Sequence, residues 1–303
     1  MPPFRVVARL ARLLCVLALG AAMAGAVAAG ERLGWRASLE QRQRWACWFM
    51  QRLVAALPFE VRVVGELPGE PMLWVGNHVS WADIPLLGML TPLSFLSKAE
   101  VRHWPLAGWL AEKAGTLFIR RGGGDGQRLR EQISGQLGAA RPLLIFPEGT
   151  TTDGRSVRTF HGRLLAGAID QGTPVQPVAI QYLRDGEPDL IAPFIGDDDL
   201  VSHLMRLFGQ ARGQVHIHLL APIVSEGKER AVLALQAQQA IHQALFGAHA
   251  LHAKFTAPPA PSQTPARVDK TLENPPSAVH KASPVHPLPP LTPQAATSAA
   301  RSP

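Results

Sequence analysis

The sequence predicts an α/β fold with a mostly parallel sheet flanked by helices. From residue 59 onward, short apolar segments alternate with longer segments of helical periodicity, which is typical of parallel strands joined by crossover helices. The candidate strands are FEVRVVGE, PMLWVGN, LSFLSK, GTLFIRR, PLLIFPE, VQPVAIQY and QVHIHLLAP. The candidate helices cover 81–91, 104–113, 125–140, 160–171, 197–208 and 228–246. Because ligands of such sheets usually bind at the carboxyl ends of the strands, the turns that follow the strands are the first candidates for a functional site.

Residues 1–58 are predicted to form a membrane-associated helical element. Segment 13–30 is uncharged and has about the length that crosses hydrocarbon, roughly 17–25 residues. Segment 42–57 is amphipathic, with Trp45 and Trp48 near one helical face and arginines at its border. A cleaved secretory signal would explain the first segment alone, but two consecutive membrane-seeking helices favour retention. The sequence leaves open whether this element spans the bilayer or lies in one leaflet.

The positive charge of the chain is concentrated in this element. The formal net charge is +7, and residues 1–58 contain eight arginines against two glutamates, so that residues 59–255 are close to neutral. Arginines beside apolar helices, without the signatures of a DNA-binding protein, favour an anionic membrane surface over nucleic acid as the partner. Under the positive-inside rule the arginines before the first apolar segment stay in the cytoplasm, so one simple span would carry the rest of the chain outside, whereas a hairpin or two helices in one leaflet would keep it inside. We therefore expect the inner (cytoplasmic) membrane, with residues 59–255 facing the cytoplasm.

Composition divides the rest of the chain into a folded domain, 59–255, and a tail, 256–303. The tail holds 12 of the 27 prolines together with many Ala, Ser and Thr residues, and it is predicted to be disordered. Cys15 and Cys47 both lie in apolar N-terminal segments. Neither a disulfide framework nor a thiol nucleophile is therefore expected.

The stretch NHVSWAD contains the most informative pair of residues, His78 and Asp83. Five residues correspond to about 500° around a helix, so the two cannot share one helical face, but they can meet across a strand-to-helix turn. Ser80 and Asp83 form a capping-box-like pair and Pro85 suits a first helical turn, which predicts a helix start at about 80–84. A neutral imidazole can then take a proton from a hydroxyl if the carboxylate fixes its tautomer. Alternatively, Asp83 is only a cap and His78 a turn residue.

Three further stretches end or contain predicted strands. GTLFIRR sends Arg120 and Arg121 to opposite faces, so that one can bind an anion. LLIFPEGTT puts Glu148 and Gly149 directly after a buried strand, where an ordinary turn is the alternative to a functional loop. TPVQPVAIQY contains Pro177, which predicts an irregular or edge strand that could line an apolar channel.

In this order the motifs resemble the glycerolipid acyltransferase family, whose members include the enzymes that acylate lysophosphatidic acid. The match runs from about 72 to 182 and includes NHVSWAD, GTLFIRR, FPEGT and VQPVAI, with FLSKAEVRHWPLAGWLAEKAG between the first two. The resemblance implies that His78 is the general base and that Asp83 orients it. It assigns the acceptor site to Lys98, Arg121, Glu148, Gly149 and Thr150, with Arg121 on the acceptor's phosphate.

The resemblance also implies acyl-CoA or acyl-carrier protein as donor, a membrane lysophospholipid as acceptor, and no metal, cofactor or covalent enzyme intermediate. The chain agrees with the last point, because it lacks a G-x-S-x-G elbow. The expected reaction is acylation of 1-acyl-sn-glycerol-3-phosphate to phosphatidic acid. One departure is Thr151, which stands where many members have arginine after FPEGT. Relatives that acylate lyso-ornithine lipid, an acceptor without phosphate, are therefore the alternative.

Two other classes of function stay open in the sequence. One is a catalytically silent lipid-binding scaffold anchored by its basic N-terminus, although the presence of both His78 and Asp83 argues against it. The other is a lipid hydrolase that uses water as the acceptor.

Overall fold

The computed structural model describes residues 3–103, 107–119 and 126–256. The helices are α1 (Pro3–Arg32), α2 (Leu39–Ala56), α3 (Asp83–Gly88), α4 (Ala107–Lys113), α5 (Gly126–Gly138), α6 (Ala166–Asp170), α7 (Leu200–Gly209) and α8 (Arg230–Thr256). The strands are β1 (Phe59–Val64), β2 (Leu73–Gly76), β3 (Ser94–Lys98), β4 (Leu117–Ile119), β5 (Leu143–Ile145), β6 (Val175–Arg184), β7 (Glu187–Pro188) and β8 (Gly213–Leu219). Apart from Thr256, the predicted tail lies outside the described residues, as do Arg120 and Arg121.

The strands form one sheet in the order β1-β8-β6-β2-β5-β3-β4, with β7 paired to β6. Five pairs of adjacent strands are parallel, namely β1–β8, β6–β2, β2–β5, β5–β3 and β3–β4. The β6–β8 and β6–β7 pairs are antiparallel. The prediction of a mostly parallel sheet flanked by helices is confirmed.

Apolar side chains cover both faces of the sheet, as the period of two along each strand requires. One core contains Trp74, Leu144 and Ile180 from the strands and packs against α1, α2, α3 and α7. The other contains the alternate strand residues, such as Val75 and Ile145, and packs against α5, α6 and α8. The central strands are therefore fully buried, and the loops at their carboxyl ends are held on a rigid base.

Pro177 lies in a central strand, which contradicts the prediction of an edge or irregular strand. β6 has β2 on one side and β8 on the other. The carbonyl of Pro177 accepts a bond of 3.0 Å from the N–H of Leu220, but proline cannot return one. The side-chain amide of Gln176 instead donates to the carbonyl of Leu220 at 2.5 Å. This bond from Gln176 replaces the one that proline cannot donate, which explains why proline is tolerated in β6. No residue of β6 lines the apolar cavity described below, so the predicted role of this strand in an apolar channel is also wrong.

The predicted helix over 160–171 is broken in the structure. Gly162–Leu164 form a single 3₁₀ turn, and α6 follows it. Gly162 lies against the start of α8, and a Cβ at this position would be 2.7 Å from the carbonyl oxygen of Arg230. α3 is also shorter than predicted, whereas α8 extends ten residues beyond the predicted end at 246.

α1 and α2 form a helical pair that is fastened to the domain. Gly20 allows close packing, because a Cβ there would lie 2.5 Å from the ring of Phe49. Near one end of α1, the guanidinium of Arg9 donates to the carbonyls of Phe208 and Gln210 at 2.7 and 2.6 Å. At the other end, Glu31 and Lys113 form an ion pair of 2.6 Å.

α1 is also apolar enough to cross a bilayer. Among the described residues it is the one helix with the length and hydropathy of a membrane span, and 17% of its most apolar window is buried within the structure. Large apolar side chains of α1, including Phe4, Val7 and Leu14, are exposed.

Candidate active site

The turn after β2 is fixed by the side chain of Asn77. Its amide donates to the carbonyl of Ile180 at 2.9 Å, and its carbonyl accepts from the N–H of Ile180 at 2.8 Å. These bonds extend the contact between β2 and β6 by one residue beyond the ladder. The backbone therefore leaves the sheet at a defined point, and His78 is the first residue beyond it.

His78 and Asp83 meet across this turn, with Nδ1 of the imidazole 2.8 Å from Oδ2 of the carboxylate. The same carboxylate oxygen accepts the backbone N–H groups of Val79 and Ser80 at 2.7 and 3.0 Å. Asp83 is completely buried and is the first residue of α3. The predicted helix start is thus confirmed, but Ser80 is not the cap. The Asp83 carboxylate accepts the N–H of Ser80, which is one half of a capping box, but the residue before the helix is Ala82, which has no side-chain capping bond.

The imidazole of His78 is held in one orientation. Its ring stacks on Phe146 with centroids 4.0 Å apart and planes 10° from parallel. Because the carboxylate of Asp83 can only accept, Nδ1 carries the proton and Nε2 is left as the basic nitrogen. The His78 side chain is 18% exposed, so the ring has an open side, whereas its orienting partner has none.

Glu148 fastens the loop after β5 to this turn. One carboxylate oxygen accepts the backbone N–H of His78 and the other that of Arg158, each at 2.8 Å. The side chain is 4% exposed, and burial raises the pKa of Glu148. Both carboxylate oxygens are occupied by backbone N–H groups, so Glu148 fixes the position of the turn that carries His78. Gly149 has a φ of +71°, which the tight turn after Glu148 requires, and Thr150 is half-buried beside it.

The two predicted cationic residues are placed differently. Lys98 is exposed at the carboxyl end of β3, opposite Ile119 of β4. In a parallel sheet this is the same edge that carries His78, but β5 separates the two strands. Arg121 lies outside the described residues.

An apolar cavity of about 410 Å³ adjoins the turn. On the side of the turn it is lined by Trp81, Ile84 and Pro85, which flank Asp83 in sequence. α1, α2, α4 and α7 close it with residues such as Leu17 and Leu204. A cavity of this kind accepts hydrocarbon, so the site combines a basic nitrogen with space for an apolar chain.

Comparison with known proteins supports the same reading. A family model described as Acyltransferase matches residues 59–181. The lyso-ornithine lipid O-acyltransferase of Pseudomonas aeruginosa is 63% identical over 247 residues, which are 82% of this chain and 96% of that protein. The chain belongs to the acyltransferase family.

More distant relatives agree with this membership. The 1-acyl-sn-glycerol-3-phosphate acyltransferase of Neisseria meningitidis is 28% identical over 206 residues, covering 67% of this chain and 81% of that protein. The crystal structure of the 1-acyl-sn-glycerophosphate acyltransferase of Thermotoga maritima has the same fold, with a TM-score of 0.57 and 20% identity. The structural match covers 81% of this chain and 98% of the Thermotoga maritima chain. The resemblance inferred from the motifs is confirmed.

The acyltransferase contains a second polar contact that the sequence did not reveal. The indole N–H of Trp81 donates to Nδ1 of His203 in α7 at 3.0 Å, and Nε2–H of His203 donates to the carbonyls of Ile191 and Ala192 at 3.0 and 3.2 Å. His203 is completely buried and neutral, because burial lowers its pKa, and Arg206 lowers it further. Asp198 and the two carbonyls act in the opposite direction. This contact holds Trp81 against the apolar cavity.

The stability of the acyltransferase should consequently depend on the protonation of His203. Below about pH 6.5 the unfolded chain takes up a proton at this histidine that the folded protein does not. The stability advantage of the wild type over a His203→Gln variant should therefore shrink as the pH falls from 7.5 to 5.5, by up to about 1.4 kcal/mol per pH unit. Unfolding midpoints of both proteins in detergent, measured across this range, test the prediction.

The control is His161→Gln, because His161 is exposed after the FPEGT loop. Its difference from the wild type should be small throughout, because substitutions of exposed side chains contribute little to stability. A His203→Gln difference that stays constant or grows on acidification would contradict a neutral buried His203.

Proposed function

We propose that this acyltransferase transfers a fatty acyl group from a thioester to the hydroxyl of lyso-ornithine lipid. The observation that carries the proposal is the 63% identity to a lyso-ornithine lipid O-acyltransferase over 96% of its length. Similarity to a 1-acyl-sn-glycerol-3-phosphate acyltransferase is much lower, at 28%. The acceptor that the sequence suggested as the alternative is thus favoured over lysophosphatidic acid.

The residue after FPEGT supports this choice of acceptor. A lysophosphatidic acid headgroup is a phosphate, which a guanidinium binds through two parallel hydrogen bonds. At position 151 this chain has threonine, which offers a single hydroxyl. Ornithine carries a carboxylate and an ammonium in place of phosphate, so the two charges partly cancel. An acceptor built on it therefore has less need of an arginine at position 151 in addition to Arg121.

In the proposed mechanism, His78 acts as the general base. Nε2 takes the proton of the acceptor hydroxyl as the oxygen attacks the thioester carbonyl, and Asp83 stabilises the imidazolium that forms. The tetrahedral intermediate collapses, the C–S bond breaks, and the imidazolium returns the proton to the departing thiolate. The product is the acylated lipid with a free thiol, and no bond to the protein forms.

The donor would be acyl-CoA or acyl-carrier protein, and the chemistry requires neither a metal nor a further cofactor. Glu148 and Gly149 would shape the acceptor site by fixing the loop behind His78, with Thr150 beside them. Lys98, at the carboxyl end of β3, would contribute positive charge, and the family pattern gives Arg121 the same role. The geometry of the turn supports the roles of Glu148 and Gly149, and the family pattern alone supports the other three.

We further propose that α1 and α2 lie in one leaflet on the cytoplasmic face of the inner membrane. Both ends of α1 are fastened to the domain, which suits a helix parallel to the bilayer surface better than one that crosses it. Large apolar side chains are exposed on the two helices and on α7, with arginines beside them. They are Phe4, Val7, Leu14, Leu19, Trp48, Val201 and Met205.

An acceptor comparison tests the proposed function. Purified protein in vesicles, supplied with an acyl thioester, should form ornithine lipid from lyso-ornithine lipid at least about tenfold faster than phosphatidic acid from lysophosphatidic acid, by analogy with the discrimination expected when a phosphate-binding group is missing. The opposite preference would contradict the proposed acceptor.

The same assay separates the other classes of function. Release of free fatty acid without diacylated product would indicate a hydrolase. Absence of thioester consumption, with and without either lysolipid, would indicate a non-catalytic lipid-binding protein.

A further inference from the structure

The buried partner of Asp83 is Tyr182, the single tyrosine of the chain. It lies on β6, which is the direct neighbour of β2 in the sheet. Tyr182 is therefore close to the turn after β2 that carries His78. Its phenol oxygen is 2.5 Å from Oδ1 of Asp83, and the residue is 5% exposed. The FPEGT and NHVSWAD motifs gave no indication of this contact, since 99 residues separate the two partners.

The contacts of Asp83 divide between its two carboxylate oxygens. Oδ2 receives His78, Val79 and Ser80, whereas within the described residues Oδ1 receives only the phenol of Tyr182. A buried carboxylate needs donors on both oxygens, because an unsatisfied charged oxygen costs more than a neutral one. Tyr182 therefore determines which way the carboxylate is turned.

The phenol of Tyr182 is a hydrogen-bond donor to Asp83. Burial raises the pKa of Tyr182 well above its usual value, and the charge of Asp83 raises it further. Tyr182 is therefore protonated at neutral pH, and its O–H donates to Asp83. Its ring is held by an edge-on contact with Phe59 of β1, with ring centroids 5.5 Å apart.

We propose that Tyr182 is a positioning residue of the reaction, which holds Asp83 with Oδ2 towards His78 and draws part of the carboxylate charge away from the imidazole. The proposal rests on the general-base role of His78 in the proposed function. Tyr182 acts through Asp83 and touches neither substrate. The chain Tyr182, Asp83, His78 thereby links the central strand β6 to the basic nitrogen.

The first test is Tyr182→Phe, which removes one oxygen and keeps the ring. With the tethering bond lost, the turnover number should fall about 10- to 100-fold, the range that a hydrogen bond to a charged group supplies, while KM for both substrates stays unchanged. The acid limb of the pH–rate profile should move to higher pH, because the full carboxylate charge then favours the imidazolium. Glu148 also acts on His78, but its two bonds to backbone N–H groups are the same in both proteins.

The matched control is Phe59→Leu, which disturbs the packing around the ring but leaves the phenol. Because the hydroxyl is kept, this variant should lower the turnover number less than Tyr182→Phe does and should leave the acid limb in place. If Tyr182→Phe behaves like Phe59→Leu, or changes KM alone, the residue is structural and the proposal is wrong.

A double-mutant cycle connects the effect to Asp83. In an Asp83→Asn background, Tyr182→Phe should lower the remaining rate by less than about twofold, because the charge through which the phenol acts is gone. Additive losses would overturn the proposal. An active His78→Ala protein would instead refute the proposed mechanism, so the two failures are distinguishable.

A second measurement keeps the phenol and does not depend on how Tyr182→Phe folds. Since the chain has one tyrosine, growth with 3-fluorotyrosine labels position 182 alone. The ¹⁹F resonance should titrate with the same midpoint as the acid limb of the rate profile, and this titration should be lost in His78→Ala. A resonance that does not change with pH would overturn the proposal.

Discussion

Replacement of His78 by alanine should lower the turnover number about 10²- to 10⁴-fold, the typical contribution of general-base assistance. In the folded protein Asp83 holds Nδ1 at 2.8 Å and Phe146 supports the ring, so Nε2 is presented to the open side of the site. Removal of the imidazole deletes the proton acceptor while the backbone bond from His78 to Glu148 remains. Initial rates of lipid acylation under saturating thioester measure the loss.

The variant should fold, because the side chain is partly exposed and its deletion leaves the backbone of the turn in place. An unfolding midpoint within a few degrees of the wild type, in the same detergent, establishes this. His161→Ala is the matched control, since His161 is exposed in the segment after FPEGT and should retain full activity. Wild-type turnover by a folded His78→Ala protein would reject the assignment of the base.

Replacement of Asp83 by asparagine should cost about 10²-fold or more in turnover number. The amide can be accommodated, with its oxygen accepting from Val79 and Ser80 and its NH₂ donating to the phenol of Tyr182. The tautomer of His78 is then preserved, but the negative charge that stabilises the imidazolium is lost. Turnover should fall although the fold persists.

The pH–rate profile separates this charge effect from a loss of structure. Without the carboxylate charge the acid limb should move to lower pH, opposite to the shift expected for Tyr182→Phe. Asp153→Asn is the control, because Asp153 is an exposed carboxylate in the loop that follows FPEGT. An Asp83→Asn protein with unchanged activity would remove the carboxylate from the mechanism.

The candidate site shows where local sequence reasoning is sufficient. The spacing of His78 and Asp83, with Pro85 after them, excluded a shared helical face and allowed a meeting across a turn, which the structure has. The helix cap was assigned wrongly to Ser80, because Ser80 and Asp83 have the spacing of a capping box whether or not the serine caps the helix. The position of Pro177 was also predicted wrongly. The side-chain amide of Gln176 replaces the N–H that proline lacks, and this cannot be recognised without knowledge of the neighbouring strand.

Periodicity, motif order and the position of charges were sufficient to predict the α/β class, the basic apolar N-terminal element and the meeting of His78 with Asp83, because each depends on residues close together in the chain. The tertiary structure decided which distant groups complete the site. Tyr182 reaches Asp83 across 99 residues, and His203 reaches Trp81 across 122. A single tyrosine or histidine carries no periodic signal. Its role arises only when the sheet brings a remote strand or helix within hydrogen-bonding distance of a buried polar group.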